Sequence, residues 1–143
     1  MQESAEKPAP IRPDPMATRD SAFFWEGAAR GELLIQQCEE CRHLWHPPRP
    51  MCPHCHGVKM GAARMSGRAT VYSWIVPVHP PVFGFAAPPV VALIDLEEGV
   101  RLVSNVVGVA PEAMRNDMNV TVAFEPTQGG KAVPVFRPSE GKA

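Results

Sequence analysis

The chain has 143 residues, of which 45% are hydrophobic, and no apolar run reaches the roughly 18 residues that a membrane-spanning helix needs. Its net charge of -1 argues against a general electrostatic attraction to nucleic acid or to anionic lipid. The length predicts one domain, or one domain with a small appendage, and the 17 prolines confine helices to short pieces.

The first 17 residues are predicted to form a flexible linker, because four of them are prolines, which favour an extended chain. The segment contains acidic residues and lacks the apolar core of a signal peptide. We therefore expect a cytoplasmic protein whose thiols stay reduced.

Residues 18–31 are predicted to form a helix that Thr18 or Asp20 caps and that Gly31 ends in the left-handed conformation. Three consecutive aromatic residues occupy positions 23–25. Consecutive helical side chains point about 100° apart, so one core face cannot hide all three. Either two of them pack on this domain and one is partly exposed, or the surplus aromatic surface docks another protein.

Residues 32–65 are predicted to form a zinc ribbon around two Cys-x-x-Cys pairs that are ten residues apart. Two such pairs complete a tetrahedral site that leaves no open position for water or substrate. The spacing favours a structural metal over two disulfides or a redox pair, and it does not separate zinc from iron. The predicted metal ligands are Cys38, Cys41, Cys52 and Cys55.

Five basic residues and no acidic residue lie between positions 42 and 68. Four thiolates and a divalent metal contribute a charge of -2, so the module carries about +3 by formal counting. That charge suits a phosphate-bearing ligand or an acidic partner surface, although solvated surface charge is the ordinary role of any one of these residues. The candidate residues for binding CoA or phosphate are Arg42, Arg49, Arg64 and Arg68.

Residues 66–138 show the patterns of β-strands, and their order predicts a five-stranded OB-type barrel, followed by a tail at 139–143. The apolar run at 90–94 predicts a strand covered on both faces, and residues 97–99 predict a hairpin with Gly99 at positive φ. The predicted strands cover 70–76, 90–94, 101–107, 120–124 and 132–136, with one helical turn at 111–115.

An apolar loop at residues 82–87 joins the first two predicted barrel strands and is bracketed by prolines. An exposed apolar loop is either an interaction site or a liability. Together with the aromatic residues of the helix, it supplies the candidate partner contacts, which are Phe23, Phe24, Trp25, Phe83 and Phe85.

The chain shows no Ser/His/Asp order, no plausible carboxylate pair and no glycine-rich phosphate loop, so no catalytic residue is predicted. Single candidates such as Tyr72, His79 and Asp95 have stronger structural interpretations. An alternative function, binding of single-stranded nucleic acid, is disfavoured because residues 89–96 and 101–107 contain no aromatic residue and only Arg101 as a cation.

Four stretches of the chain look like recurring motifs of a known family: Phe24-Trp25-Glu26-Gly27, Cys52-Pro53-His54-Cys55, residues 66–73 (SGRATVYS) and residues 133–138 (VPVFRP). Through them the chain resembles the family known as domain of unknown function 35 over residues 18–138. More narrowly, residues 19–27 and 97–101 are similar to the C-terminal domain of actinobacterial steroid side-chain hydratases, in which a MaoC-like hot-dog domain comes first.

The resemblance implies an N-terminal helix, a rubredoxin-like zinc ribbon and an OB-fold that together act as a non-catalytic companion of thiolase-fold enzymes. For the steroid case it implies a heteromeric complex with a thiolase-like aldolase, with the acyl-CoA substrate near the interface. That aldolase performs a retro-aldol cleavage of a steroid side-chain CoA thioester to a 17-keto steroid and propionyl-CoA. The alternative is a domain that binds acyl-CoA or CoA as a scaffold for another thiolase-fold enzyme.

Overall fold

A computed structural model describes residues 12–139, and the predictions for residues 1–11 and 140–143 lie outside this range. No helix in the described part of the chain has the length and apolar character needed to cross a bilayer. A 3-10 turn at Pro111–Ala113 precedes the seventh strand. The other elements, in chain order, are α1 (Ala22–Ala29), β1 (Leu34–Cys38), β2 (Leu44–Trp45), β3 (Met60–Arg64), β4 (Arg68–Ile75), β5 (Val90–Leu96), β6 (Arg101–Val106), β7 (Asn119–Pro126) and β8 (Ala132–Pro138).

The helix α1 begins four residues later than the sequence predicts. Ser21 is its N-cap residue and makes no side-chain cap bond, so the predicted capping by Thr18 or Asp20 is wrong. Thr18 instead forms a turn before the helix, in which its backbone N–H donates to Ser21 Oγ at 2.9 Å and its Oγ1 accepts from the Ser21 N–H at 3.2 Å. This local hydrogen bonding competes with helical geometry over residues 18–21.

The end and the buried face of α1 follow from its small residues. Gly31 has φ +76° and donates its N–H to Ala28 O at 3.0 Å, which confirms the predicted left-handed end. Phe24, Gly27 and Ala28 form the buried face. A Cβ at Gly27 would lie 2.7 Å from Leu34 Cδ1, so only glycine lets α1 approach β1 this closely.

The zinc-ribbon region is a three-stranded antiparallel sheet in the order β2-β1-β3. β1 pairs with β3 over five positions, from Leu34 opposite Arg64 to Cys38 opposite Met60. Gln36 on β1 is buried, and its Oε1 accepts the backbone N–H of Arg49 at 2.7 Å. That bond ties the proline-rich connection between the two cysteine pairs to the sheet.

The remaining five strands form a closed barrel in the order β4-β5-β6-β8-β7, which confirms the predicted OB-fold. Pairing of β4 with β7 closes it, whereas the parallel pair β6–β8 meets at a single position, Val106 opposite Phe136. Phe24 of α1 belongs to the core cluster of the barrel. The fully buried apolar side chains of the sheet and barrel include Ile35, Val71, Ile94, Val120, Val135 and Phe136.

The burial of β5 and the alternation of side chains in β4 differ from what the sequence predicts. β5 buries alternate residues from Val90 to Leu96 and leaves the others half-buried, so the prediction that both faces are covered is wrong. In β4, Tyr72 faces outward next to buried Val71, and a bulge between Val71 and Ser73 then shifts the alternation so that Trp74 packs on the core.

The hairpin between β5 and β6 has the predicted geometry. Gly99 has φ +91° and donates its N–H to Leu96 O at 2.9 Å, and the Leu96 N–H donates to Val100 O at 2.8 Å. Glycine meets the positive φ of this three-residue connection without a steric penalty.

Residues 12–17, which we call the strap, lie against the barrel in place of the free linker that the proline pattern predicts. Arg12 Nε donates to Glu125 Oε2 at 2.9 Å, and its Nη1 donates to Asn105 Oδ1 at 2.6 Å. Asp14 Oδ1 accepts from Thr127 Oγ1 at 2.6 Å and from the Gly129 N–H at 2.7 Å. These bonds, led by that of Thr127, lower the pKa of Asp14 and fix the strap to the β7–β8 hairpin.

Candidate metal centre and interaction groove

The four cysteines converge on one point at the end of the ribbon sheet. Their sulfur atoms all lie within 4.8 Å of one another. Cys38 Sγ is 3.5 Å from Cys55 Sγ, and Cys41 Sγ is 3.6 Å from Cys52 Sγ. A tetrahedron with metal–sulfur bonds of about 2.3 Å has edges of about 3.8 Å, so the arrangement fits one ion held by four thiolates.

The two cysteine pairs have the same backbone design. Arg42 and His56, which follow the second cysteine of each pair, both have positive φ, at 68° and 64°. Each donates its N–H to the carbonyl of the first cysteine of its pair at 3.0 Å. This tight turn points both sulfur atoms of a pair in one direction, which is why two pairs suffice for a complete site.

Backbone N–H groups further prepare the sulfur atoms for a cation. The N–H groups of His54 and Cys55 lie 3.4 Å and 3.5 Å from Cys52 Sγ. Burial alone would raise the pKa of Cys52, but these N–H groups and the neighbouring thiols lower it to about 7. A sulfur with this pKa gives up its proton readily to a metal. In the same cluster the pKa of Cys55 is raised to about 12, so Cys52 is the sulfur that gives up its proton more readily of the two.

The four candidate arginines do not gather into one anion site. Arg68 forms a two-point ion pair with Glu97, at 2.8 Å and 2.6 Å, and Arg64 lies 3.7 Å from Glu32. Arg42 occupies the turn of the first cysteine pair. Of the four, Arg49 lines the groove described below.

The candidate aromatic contacts divide into buried and accessible groups. Phe24 is only 6% exposed, whereas Phe23 and Trp25 are half-buried against the same core. Phe83 is 77% exposed, and Phe85 lies under the Arg12 guanidinium, 4.9 Å from its ring centroid. The structure thus brings Phe24, Trp25 and Phe85 together at one groove and leaves Phe83 on the open loop.

The groove has a volume of about 670 Å³ and lies where five parts of the chain meet. These parts are the strap, α1, the connection at residues 46–49, the loop that carries Phe85 and the outer surface of β6 and β8. Phe24 joins two of its walls, because its ring centroid is 4.8 Å from that of Trp25 and 5.1 Å from that of His46. Sequence reasoning missed the strap and His46, since residues far apart in the chain create this junction.

The single catalytic candidates occupy structural positions. Arg101 lies over the Tyr72 ring, with its Cζ 3.7 Å from the ring centroid, and forms a two-point ion pair with Asp95 at 2.6 Å and 3.1 Å. This cluster lies on the outer face of β4, β5 and β6. His79 is exposed in the loop that follows β4. The structure therefore does not bring His79 together with the other two candidates.

Comparisons with known proteins decide the family. A family model described as the ChsH2 rubredoxin-like zinc ribbon domain matches residues 25–60, and one described as the ChsH2 C-terminal OB-fold domain matches residues 62–125. A solved structure titled "Ltp2-ChsH2(DUF35) aldolase" has a TM-score of 0.83 and 43% identity, with 87% of this chain and 98% of that chain covered. The chain belongs to the DUF35 family.

Two curated relatives extend this result. This DUF35 chain is 42% identical over 138 residues to a probable enoyl-CoA hydratase alpha subunit of Thermomonospora curvata, with 96% of this chain and 43% of the relative covered. It is 38% identical over 110 residues to the 3-oxo-4,17-pregnadiene-20-carboxyl-CoA hydratase alpha subunit of Mycobacterium tuberculosis, with 77% of this chain and 35% of the relative covered. The chain spans less than half the length of these two relatives.

Proposed function

We propose that this chain is the accessory subunit of a thiolase-like acyl-CoA aldolase. In this proposal the partner performs the retro-aldol cleavage of a steroid side-chain CoA thioester to a 17-keto steroid and propionyl-CoA. The observation that carries the proposal is the match to the aldolase complex, which extends over 98% of that chain at 43% identity. The name of the Mycobacterium tuberculosis relative supports the steroid substrate class.

We assign the catalytic acid and base to the partner. Asp95 is engaged by Arg101, and Tyr72 lies beneath the same guanidinium, so both serve the barrel surface rather than a reacting substrate. Because the proposed substrate is a CoA thioester, we also propose a cytoplasmic location. The contribution of this chain is then to dock on the aldolase and shape its acyl-CoA site.

We propose zinc as the resident metal, held by Cys38, Cys41, Cys52 and Cys55. When bound, it closes the ribbon by cross-linking both cysteine pairs, and four thiolates leave it no position for substrate. The ribbon then holds β1 and the connection at residues 46–49 rigidly beside α1. This supports a structural role for the metal, which keeps the docking surface in shape.

The proposed contacts with the aldolase use the accessible aromatic residues. Phe83, exposed on the loop before β5, and the half-buried Phe23, Trp25 and Phe85 offer apolar surface, while buried Phe24 holds α1 in place. Aromatic side chains of this kind dominate binding energy at protein interfaces. Among the cationic candidates, Arg49 lines the groove together with Trp25 and Phe85.

Co-expression tests this function. The chain and its cognate thiolase-like aldolase are produced together with an affinity tag on the aldolase, and the product is analysed by size-exclusion chromatography. We expect a stable complex that contains both chains and the metal. The double variant Phe83→Ala/Phe85→Ala should weaken it. Separate elution of the wild-type chain and the aldolase would rule out the accessory-subunit role.

A further inference from the structure

The connection between β4 and β5 at residues 77–89, which we call the β4–β5 loop, has few ties to the barrel. None of the hydrogen bonds and ion pairs within residues 12–139 involves this loop. It carries Phe83, which is 77% exposed, and Phe85, which is half-buried. A loop without hydrogen bonds opens locally at little cost in free energy. The contact that Phe85 makes is therefore decisive for the order of the loop.

Arg12 of the strap supplies that contact. Its Cζ lies over the Phe85 ring, 4.9 Å from the centroid, and its side chain is only 12% exposed. Its Nε and Nη1 donate to Glu125 Oε2 and Asn105 Oδ1 at 2.9 Å and 2.6 Å, which holds the planar guanidinium in one orientation. Asn105 Nδ2 in turn donates at 3.0 Å to the carbonyl of Val90, where the loop enters β5. A cation held over an aromatic face and shielded from water attracts the ring.

A second set of bonds holds the strap itself on the barrel. Asp14 Oδ1 accepts from Thr127 Oγ1 at 2.6 Å and from the Gly129 N–H at 2.7 Å. The carbonyl of Arg12 accepts the N–H of Gln128 at 2.8 Å. Asp14 is exposed, so its bonds compete with water and each contributes little net free energy. The strap can therefore leave by local opening while the barrel stays folded.

We propose that the strap is a latch for the β4–β5 loop. While the strap lies on the barrel, Arg12 holds Phe85 and keeps the loop in one position. When the strap leaves, Arg12 leaves with it, and the loop becomes mobile together with Phe83. The strap thus controls how the chain presents this exposed phenylalanine. The latch is a property of this chain alone and does not depend on the proposed function.

Two substitutions and a matched control in the metal-bound chain test the latch by backbone NMR relaxation. Arg12→Ala removes the contact with the ring, whereas Asp14→Ala weakens the hold on the strap without touching the loop. Arg101→Ala is the control, because Arg101 also pairs with a carboxylate and lies over an aromatic ring, with its Cζ 3.7 Å from the Tyr72 centroid. Arg101 lies at the end of the β5–β6 pairing that is farther from the loop.

The loop should respond to both strap variants and not to the control. We expect order parameters of about 0.85 at residues 82–87 in the wild type and in Arg101→Ala, and values below about 0.6 in Arg12→Ala and Asp14→Ala. The strands β4 and β5 should stay rigid in all four chains. Chymotrypsin, which cleaves after phenylalanine, gives a second measurement. Its cleavage after Phe83 should be about tenfold faster in both strap variants, as expected when a partly desolvated cation–π contact is lost.

Three results would overturn the latch. A loop that stays as rigid in Arg12→Ala as in the wild type is held by its own packing. A loop that loosens in Arg12→Ala but not in Asp14→Ala is not controlled by the strap. Equal loosening in Arg101→Ala would assign the effect to a general loss of barrel stability.

Discussion

Replacement of Phe24 by alanine should destabilise the whole chain, because its ring joins α1 to the barrel core and to the ribbon. The side chain is 6% exposed and contacts Trp25 and His46 at centroid distances of 4.8 Å and 5.1 Å. Truncation of a buried phenylalanine to alanine costs about 3–5 kcal/mol. That is a large share of the roughly 5–15 kcal/mol by which domains of this size are stable.

A matched control makes this prediction sharp. Phe83→Ala removes the same ring from a position that is 77% exposed, so its free energy of unfolding should change by no more than about 0.5 kcal/mol. Both variants are unfolded in urea with the metal bound, and tryptophan fluorescence reports the transition. At about 2–4 °C per kcal/mol, Phe24→Ala should also melt about 6–20 °C lower. Equal effects of the two substitutions would refute the assignment of Phe24 to the core.

Three further changes test the metal centre and two titrating groups. Cys38→Ser should release the metal and unfold residues 32–65, because the metal supplies about 10 kcal/mol or more to so small a module. It should also destabilise the barrel, because Leu33, Ile35 and Met65 belong to the same core cluster as the barrel side chains. Metal analysis and amide hydrogen exchange check this, and a variant with full metal content contradicts it. The pKa of His46 is below 6.5 in the folded state because the ring is buried. The unfolded state therefore binds a proton more readily, and the free energy of unfolding should fall as pH decreases below about 6.5. His46→Gln should flatten that pH dependence in urea titrations. The pKa of Asp14 is below 3.8 in the folded state because Thr127 and Gly129 donate hydrogen bonds to its carboxylate. Its contribution to the free energy of unfolding is therefore present above about pH 3.8 and is lost as pH falls through the lowered value. In unfolding experiments from pH 2 to pH 7, Asp14→Asn should lack this acid-labile part.

Features with a local cause could be predicted from the sequence. The cysteine spacing sets the backbone turn that aims the sulfur atoms, and it predicts the cluster of four. Gly31 and Gly99 have the positive φ expected of them, because a helix end and a three-residue hairpin each require it within a few residues. The barrel strands follow from apolar and β-branched runs in the same way.

Features that depend on distant residues were missed. β3 contains glycine and two alanines and no β-branched residue, and it is a strand because β1 offers it five pairing positions. The strap is fixed by Asp14 bonds to residues 113 and 115 positions away. The same holds for the groove, whose walls come from segments that no local pattern connects. The start of α1 was also missed, although its cause is local, because a turn made by Thr18 and Ser21 replaces the predicted first turn of the helix.

A reconstituted aldolase assay tests the accessory role most directly. The cognate thiolase-like aldolase is purified alone, and its cleavage of a steroid side-chain β-hydroxyacyl-CoA thioester is followed by release of propionyl-CoA, before and after addition of the metal-bound chain. We expect little activity from the aldolase alone and full activity at one equivalent of this chain. Full activity of the aldolase without the chain would contradict the account.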